Sequence, residues 1–214
     1  MTSITIVGAG AVGTNLATRL AEVGHTVRFA ARNPTSDKVE TARAATGLDV
    51  VDLDQAANGA DVVILAVPYG AVVDTVAALG DTGDAILVDA TNTVGSALPP
   101  GVTTIVDVIA GANPEATIVK AFNTIGAEAF LQPKVDGTAL FLPVAGDDGA
   151  ADTVAALAAD MGLDSLVIGG RDTVHLLESF AALWIYMAFP AGQGRASCAV
   201  CNRPLPGGSA HRAV

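Results

Sequence analysis

Apolar residues along the chain fall into short blocks, separated by longer stretches that are apolar on one side only. Ile4-Thr5-Ile6-Val7 is a β-branched run of strand length, and residues 26–31 form a second. Between them, residues 15–23 carry Leu16, Leu20 and Val23 at helical spacing and stop at Gly24-His25. Asn33-Pro34-Thr35-Ser36 is a turn that caps a helix over 37–46. Val50-Val51 reads as a short third strand and 53–58 as a brief helix. Residues 61–67 are the clearest buried strand, closed by Pro68-Tyr69-Gly70 and followed by a helix over 71–79. Strands at 85–89 and 117–122 follow, ended by Thr91-Asn92 and Asn123-Thr124. This alternation predicts a parallel sheet with right-handed crossovers. After Pro133 the pattern changes to a strand at 139–144, an amphipathic helix at 150–161, a strand at 166–168 and a long apolar helix at 172–189.

The turn after the first strand carries the first chemistry. Gly8-Ala9-Gly10-Ala11-Val12-Gly13 follows a strand and opens a helix, the context in which a G-x-G-x-x-G pattern means a dinucleotide site. The first glycine permits the tight turn, the second lets a pyrophosphate approach the backbone, and the third lets helix and strand pack closely. The helix N-terminus offers free N–H groups and a partial positive charge to the phosphates. The expected fold class is therefore α/β, a Rossmann doubly wound parallel sheet with a small C-terminal α/β extension. The end of the second strand selects the cofactor. An acid there holds the ribose 2′-hydroxyl of NAD, whereas this chain has Ala31-Arg32-Asn33. A guanidinium binds a 2′-phosphate through charge-assisted bonds, and Lys38, Thr35 and Ser36 are near in sequence, so NADP is expected over NAD.

Composition narrows the partners. The 214 residues are 51% hydrophobic and 15% charged, enough apolar material for one sizeable core or one core plus a small appended domain, and the net charge is −11. So acidic a chain lacks the basic footprint that nucleic acid or an anionic membrane requires. Met1-Thr2-Ser3 leads straight into a strand with no basic leader, and the longest apolar stretch, 180–191, is too short to span a bilayer. A soluble, cytoplasmic protein is the expectation. Cys198 and Cys201, with His211, make half a zinc site without a fourth ligand, so no metal is expected.

With Arg32, Val67-Pro68-Tyr69, Lys120-Ala121-Phe122-Asn123-Thr124-Ile125-Gly126, Gly146-Asp147-Asp148 and Leu176-Leu177-Glu178-Ser179 in view, the chain resembles the NADP-dependent oxidoreductases of the coenzyme F420 (deazaflavin) type over about residues 3–195. The resemblance implies an NADP-binding Rossmann domain (1–135) and a small C-terminal portion closing the cleft (136–195); residues 196–214, with no usable period, two prolines and a Gly-Gly, read as an irregular tail. It implies that Asn123, Thr124 and Ile125 line the cleft where two rings stack, and that Val67, Pro68 and Tyr69 touch the cofactor beyond its phosphates. It implies hydride transfer between NADP(H) and coenzyme F420 or a flavin. The chain departs from the family at Ala31, where some members carry Ser, at Asn123 and His175, and after Arg195.

The residues agree with such a reaction, which needs positioning and desolvation more than an acid or base. Asn92 and Asn123 both follow strands at the ligand edge, where an amide can bond a carboxamide or ring carbonyl; Asx-turn roles are the alternative reading for each. Lys120 reads as an edge or buried, paired lysine. Asp107, Asp147 and Asp148 read as turn and cap residues, and Glu178 as structural, needing a partner if buried. His25 lies in a turn far from the ligand edge, and His175 is read as a surface or packed helix residue. Two alternatives stand beside this reading: an imine or small-carbonyl reductase with Tyr69 or His175 as proton donor, and a non-catalytic NADP-sensing domain. The helix at 172–189 is apolar on more than one face, which predicts a homodimer covering part of it.

Overall fold

The structure is a computed structural model that describes residues 1–93 and 97–192. The chain runs β1 (Ser3–Val7), α1 (Ala11–Glu22), β2 (Thr26–Ala31), α2 (Asp37–Thr46), β3 (Val50–Asp52), β4 (Val62–Leu65), α3 (Val72–Leu79) and β5 (Ile86–Asp89). It continues through α4 (Ile105–Ala112), β6 (Ile118–Lys120), a hairpin of β7 (Lys134–Val135) and β8 (Thr138–Ala139), β9 (Phe141–Gly146), α5 (Ala150–Asp160), β10 (Asp164–Gly169) and α6 (Val174–Ala188).

Strand order in the main sheet is β10-β9-β6-β5-β4-β1-β2-β3. Its last six members are mutually parallel and follow the doubly wound dinucleotide-binding order, which reverses direction between β1 and β4. The sheet is not wholly parallel, as the alternation alone predicts. β9 pairs with β6 antiparallel, and β10 runs parallel to β9. The reason lies in the connection: between β6 and β9 the described chain has only a 3-10 turn and the β7–β8 hairpin, and a parallel neighbour requires a long crossover. Gly146 permits the join, since a Cβ there would lie 2.5 Å from the Ile118 carbonyl oxygen. The residues after Pro133 thus extend the same sheet.

Alternation along the strands divides the core. Ile4, Ile6, Val62, Ile64 and Val88 pack under α1 and α5, against Leu16, Leu20, Val154 and Leu157. Val7, Val63, Leu65 and Leu87 face the other way, against Val72 and Val76 of α3, Ile105 and Ile109 of α4, and Val174 and Leu177 of α6. The result is a three-layer sandwich in which each buried Leu or Ile contributes roughly 1.5–3 kcal/mol.

Three elements differ from the periodicity. Helix α1 begins at Ala11, four residues ahead of the predicted start, because Gly10 is its N-cap and Gly13 sits inside its first turn. Helix α4 has no counterpart in the apolar pattern. Its start is fixed by a capping box in which Thr104 accepts from the Asp107 N–H while the Asp107 carboxylate accepts from the Thr104 N–H, so Asp107 is the cap residue its type predicts. The helix expected at 53–58 is a single 3-10 turn, Leu53–Gln55. Helix α6 is not covered all round. Val174, Leu177, Ala181, Trp184 and Ala188 are buried, whereas Leu176, Leu183 and Tyr186 are exposed.

Candidate functional site

Between the ends of β1 and β4 lies a cleft of about 440 Å³, floored by Gly10, Ala11 and Val12 and walled by Val67, Pro68, Tyr69 and Asn92. A second hollow of about 250 Å³ continues from it past Gly8, Ala9, Ala31, Arg32 and Asn33, and Lys38 lines both. These hollows lie where doubly wound sheets bind ligands, outside the strand C-termini at the point of reversal.

The three loop glycines do different work. Gly8 has φ +118°, and a Cβ there would sit 2.4 Å from the Ala66 carbonyl oxygen; at Gly13 it would sit 1.9 Å from the Gly8 carbonyl oxygen. The chain itself forbids side chains at both. Gly10 has ordinary extended geometry (φ −85°, ψ −177°), and a Cβ there would meet only the flexible end of Lys38, 3.6 Å from its Nζ. Nothing within the chain requires a glycine at position 10. The open space above it, at the uncapped N-terminus of α1, fits a pyrophosphate. Arg32 and Lys38 are exposed and have no hydrogen-bond or ion-pair partner among the described residues. Thr35, by contrast, is turned onto Asn33, donating its N–H and hydroxyl to Oδ1 at 3.2 and 3.0 Å.

Asn123 and Thr124 are buried, and neither they nor Ile125 line the cleft directly. Asn123 stands behind the cleft wall. Its carbonyl accepts from Asn92 Nδ2 (2.8 Å), and its own Nδ2 donates to Asn92 Oδ1 (3.3 Å) and to the Leu177 carbonyl of α6 (3.4 Å). Among the described residues, buried Asn123 Oδ1 and Thr124 Oγ1 have no hydrogen-bond partner. Phe122, just before them, has φ +63°, an uncommon backbone for a non-glycine residue. His175 is exposed, its Nδ1 2.8 Å from the Asp172 carbonyl. His25 sits at the α1–β2 turn, 3.3 Å from Asp160 and away from the cleft. The described residues contain no group of three or more His, Cys, Asp or Glu placed to hold a metal; Cys198, Cys201 and His211 lie outside them. No described helix is long and apolar enough to cross a membrane.

Residues 3–93 match the family model described as NADP oxidoreductase, coenzyme F420-dependent. Over 223 residues the chain is 29% identical to the F420-dependent NADP reductase of Methanothermobacter thermautotrophicus, covering 92% of this chain and 93% of that one. A candidate F420-dependent NADP-reductase from Arthrobacter sp. FB24 superposes with a TM-score of 0.76 at 26% identity, over 91% of this chain and 97% of the other. Residues 3–93 thus match coenzyme F420-dependent NADP oxidoreductases, and nearly the whole chain is similar to the F420-dependent NADP reductase of Methanothermobacter thermautotrophicus. It is accordingly an NADP-dependent oxidoreductase. An imine reductase from Pseudomonas sp. shares the fold alone, with a TM-score of 0.64 at 18% identity over 90% of this chain and 68% of its own.

The sequence pattern misses one polar cluster close to the cleft. Lys120 at the end of β6 and Asp89 at the end of β5 are fully buried and paired at 2.6 Å, and Lys120 Nζ also donates to the Thr91 carbonyl at 2.7 Å. Glu178 of α6 lies 3.4 Å from Lys120 and accepts from the Ile105 N–H at 2.9 Å. Burial pushes the Glu178 carboxyl above its usual range, against the pull of Lys120 and the Ile105 N–H. The available signal was a lysine in an apolar strand and a glutamate on an apolar helix; their meeting is set by topology. Asp147 lies away from the cleft. Burial raises its carboxyl, but the Arg171 hydrogen bonds, the Ile118 N–H and the Arg171 charge outweigh that and hold it below its usual range. Arg171 grips it with Nε at 2.5 Å and with Nη2.

Proposed function

We propose that this oxidoreductase binds NADP(H) along the two connected hollows and transfers hydride between it and coenzyme F420 or a flavin. The observation that carries the reading is the open space over Gly10, with Lys38 beside it and Arg32 on the adjoining hollow, neither cation having a partner among the described residues. In this reading Gly8 to Gly13 hold the pyrophosphate through backbone N–H groups. Ala31, Arg32, Asn33 and Lys38 hold the ribose 2′-phosphate end, Arg32 and Lys38 by charge. Val67, Pro68 and Tyr69 line the far wall, and Asn92 offers its amide to the nicotinamide carboxamide. Bound NADPH supplies a hydride to a ring stacked against it. The chain's share of the work is to orient the two rings and exclude water, with Asn123, Thr124 and Ile125 shaping the cleft from behind Asn92. The relatives named for F420-dependent NADP reduction support deazaflavin as the partner.

The same reading assigns residues 1–135 to NADP and 136–195 to closing the cleft. It places the protein in the cytoplasm, and packs the exposed face of α6, with Leu176, Leu183 and Tyr186, against a second copy. Tyr69 on the cleft wall is the one observation that favours imine or carbonyl reduction, because such a reaction needs a proton donor beside the substrate. Following the NADPH absorption band with oxidised F420, FMN, FAD or a cyclic imine separates the readings. Turnover with F420 alone or F420 and flavins supports the proposal, turnover with only the imine transfers the assignment to the alternative, and tight NADPH binding with no turnover leaves a sensing domain.

A further inference from the structure

The Lys120 ammonium has three protons, and three acceptors surround it: Asp89 Oδ2, the Thr91 carbonyl and Glu178 Oε1. Two belong to the end of β5 and the third to α6. Asp89 ends a central strand and also accepts from the Thr91 N–H and hydroxyl, at 2.9 and 2.6 Å. Thr91 is part of the cleft wall and is followed by Asn92. Glu178 stands on α6 and is anchored to the first residue of α4. A second tie runs in parallel, from Asn92 through Asn123 to the Leu177 carbonyl. Burying an ammonium with two carboxylates is a poor way to stabilise a core, since apolar residues of equal volume do as well or better. A satisfied buried network is, however, a good way to hold one geometry.

Building on the reading of the cleft as the NADP site, we propose that Lys120 is a positioning residue for hydride transfer: held between Asp89 and Glu178, its ammonium locks the Thr91–Asn92 wall to helix α6, so the nicotinamide end of the cofactor meets a wall in one fixed orientation. Lys120 touches neither cofactor nor substrate in this account; it acts through Thr91 and Asn92. The 2′-phosphate end, at Arg32 and Lys38, lies outside the network. Loosening the lock therefore separates binding from chemistry.

The test uses Lys120→Met in the full chain, with two readings. In cofactor-free protein, hydrogen exchange of the peptide spanning Ala90 to Thr93 should rise by ~10-fold or more, with exchange in β1 and β4 little changed. With NADPH and the acceptor the wild type uses, kcat should fall ~10-fold or more while the NADPH dissociation constant moves less than ~3-fold, and transfer from NADPH deuterated on one face should lose facial selectivity. If Lys120→Met fails to fold, Glu178→Gln carries the same readings: it keeps the Ile105 acceptor, and rim exchange and kcat should shift in the same directions by about threefold. Unchanged rim exchange, intact facial selectivity or a loss expressed wholly in NADPH affinity would overturn the proposal. Failure of the wild type to bind NADPH would overturn the reading of the cleft instead, and the exchange measurement on the free protein would still decide whether Lys120 holds the wall.

Discussion

Replacing Arg32 with alanine isolates the residue on which cofactor choice rests. Its guanidinium is exposed, borders the hollow beyond Gly8 and has no partner among the described residues, so removing it breaks nothing inside the protein. A charge-assisted bond to phosphate is worth about 1.5–3 kcal/mol. The Coulomb term for unit charges about 4 Å apart runs from about 1 kcal/mol in water to about 4 at an effective dielectric of 20, and an exposed group sits toward the lower end. Lys38, which lines both hollows, continues to supply one positive charge. Together these place the loss at about 1.4–2 kcal/mol, or ~10–30-fold in the NADPH dissociation constant. NADH carries no 2′-phosphate, and its affinity should change less than ~3-fold by the same argument. Nucleotide fluorescence titration at low and high salt is the assay. The wild-type preference for NADPH should shrink as salt rises, because the Debye length falls from about 10 Å at 0.1 M to about 3 Å at 1 M. Equal affinities for the two nucleotides in the unmutated protein, or an equal loss of both in Arg32→Ala, would refute the assignment.

Gly10→Val should fold normally and bind neither nucleotide, whereas Gly13→Ala, whose Cβ would meet the Gly8 carbonyl oxygen at 1.9 Å, should reduce thermal stability sharply even without ligand; titration and thermal melts on both variants test the contrast. Glu178 has a raised carboxyl pKa, so the folded state binds more protons than the unfolded one above the ordinary glutamate range, and stability should fall as pH rises through that window; Glu178→Gln should flatten the fall in urea titrations across pH. Asp147 has the opposite sign: its lowered pKa gives stability that is present above the ordinary aspartate range and lost as pH falls through the folded value, and Arg171→Ala should weaken that acid dependence in the same titrations. Leu183→Glu should dissociate the proposed dimer in sedimentation without changing Trp184 emission, because Trp184 is only 6% exposed within one chain; a monomeric wild type at micromolar concentration would remove the dimer.

What the sequence disclosed and what it hid divide along a physical line. Local patterns sufficed for β1, β2 and α2, because short strand-length apolar runs and the 33–36 turn are signals carried by neighbouring residues. The strand–glycine turn–helix geometry around residues 8–13 was legible for the same reason. Helix α4 was not, since its eight residues are apolar on too many sides to show a period, and its capping box uses Asp107 where Glu or Gln is the usual signal. The antiparallel entry of β9 depends on how the 121–140 segment turns, which periodicity does not report. The Lys120–Asp89–Glu178 cluster joins residues up to 89 positions apart by number, so each looked like an isolated oddity in the sequence. Asn123 follows β6 as the sequence pattern expects, but its place behind Asn92 is set by a contact between residues 31 positions apart, which residue type does not foretell.

The two glycines that the chain itself demands have a consequence for how a nucleotide arrives. Because Gly8 is pressed against Ala66 and Gly13 against Gly8, the strand, loop and helix are interlocked by their own packing, and the loop keeps its shape with no phosphate present. The entropy of ordering it is spent during folding, and none of it is charged to the encounter. Capture of the pyrophosphate by the loop should then be a bimolecular step whose observed rate climbs linearly with nucleotide concentration, with no slow phase that Gly8 or Gly13 has to supply.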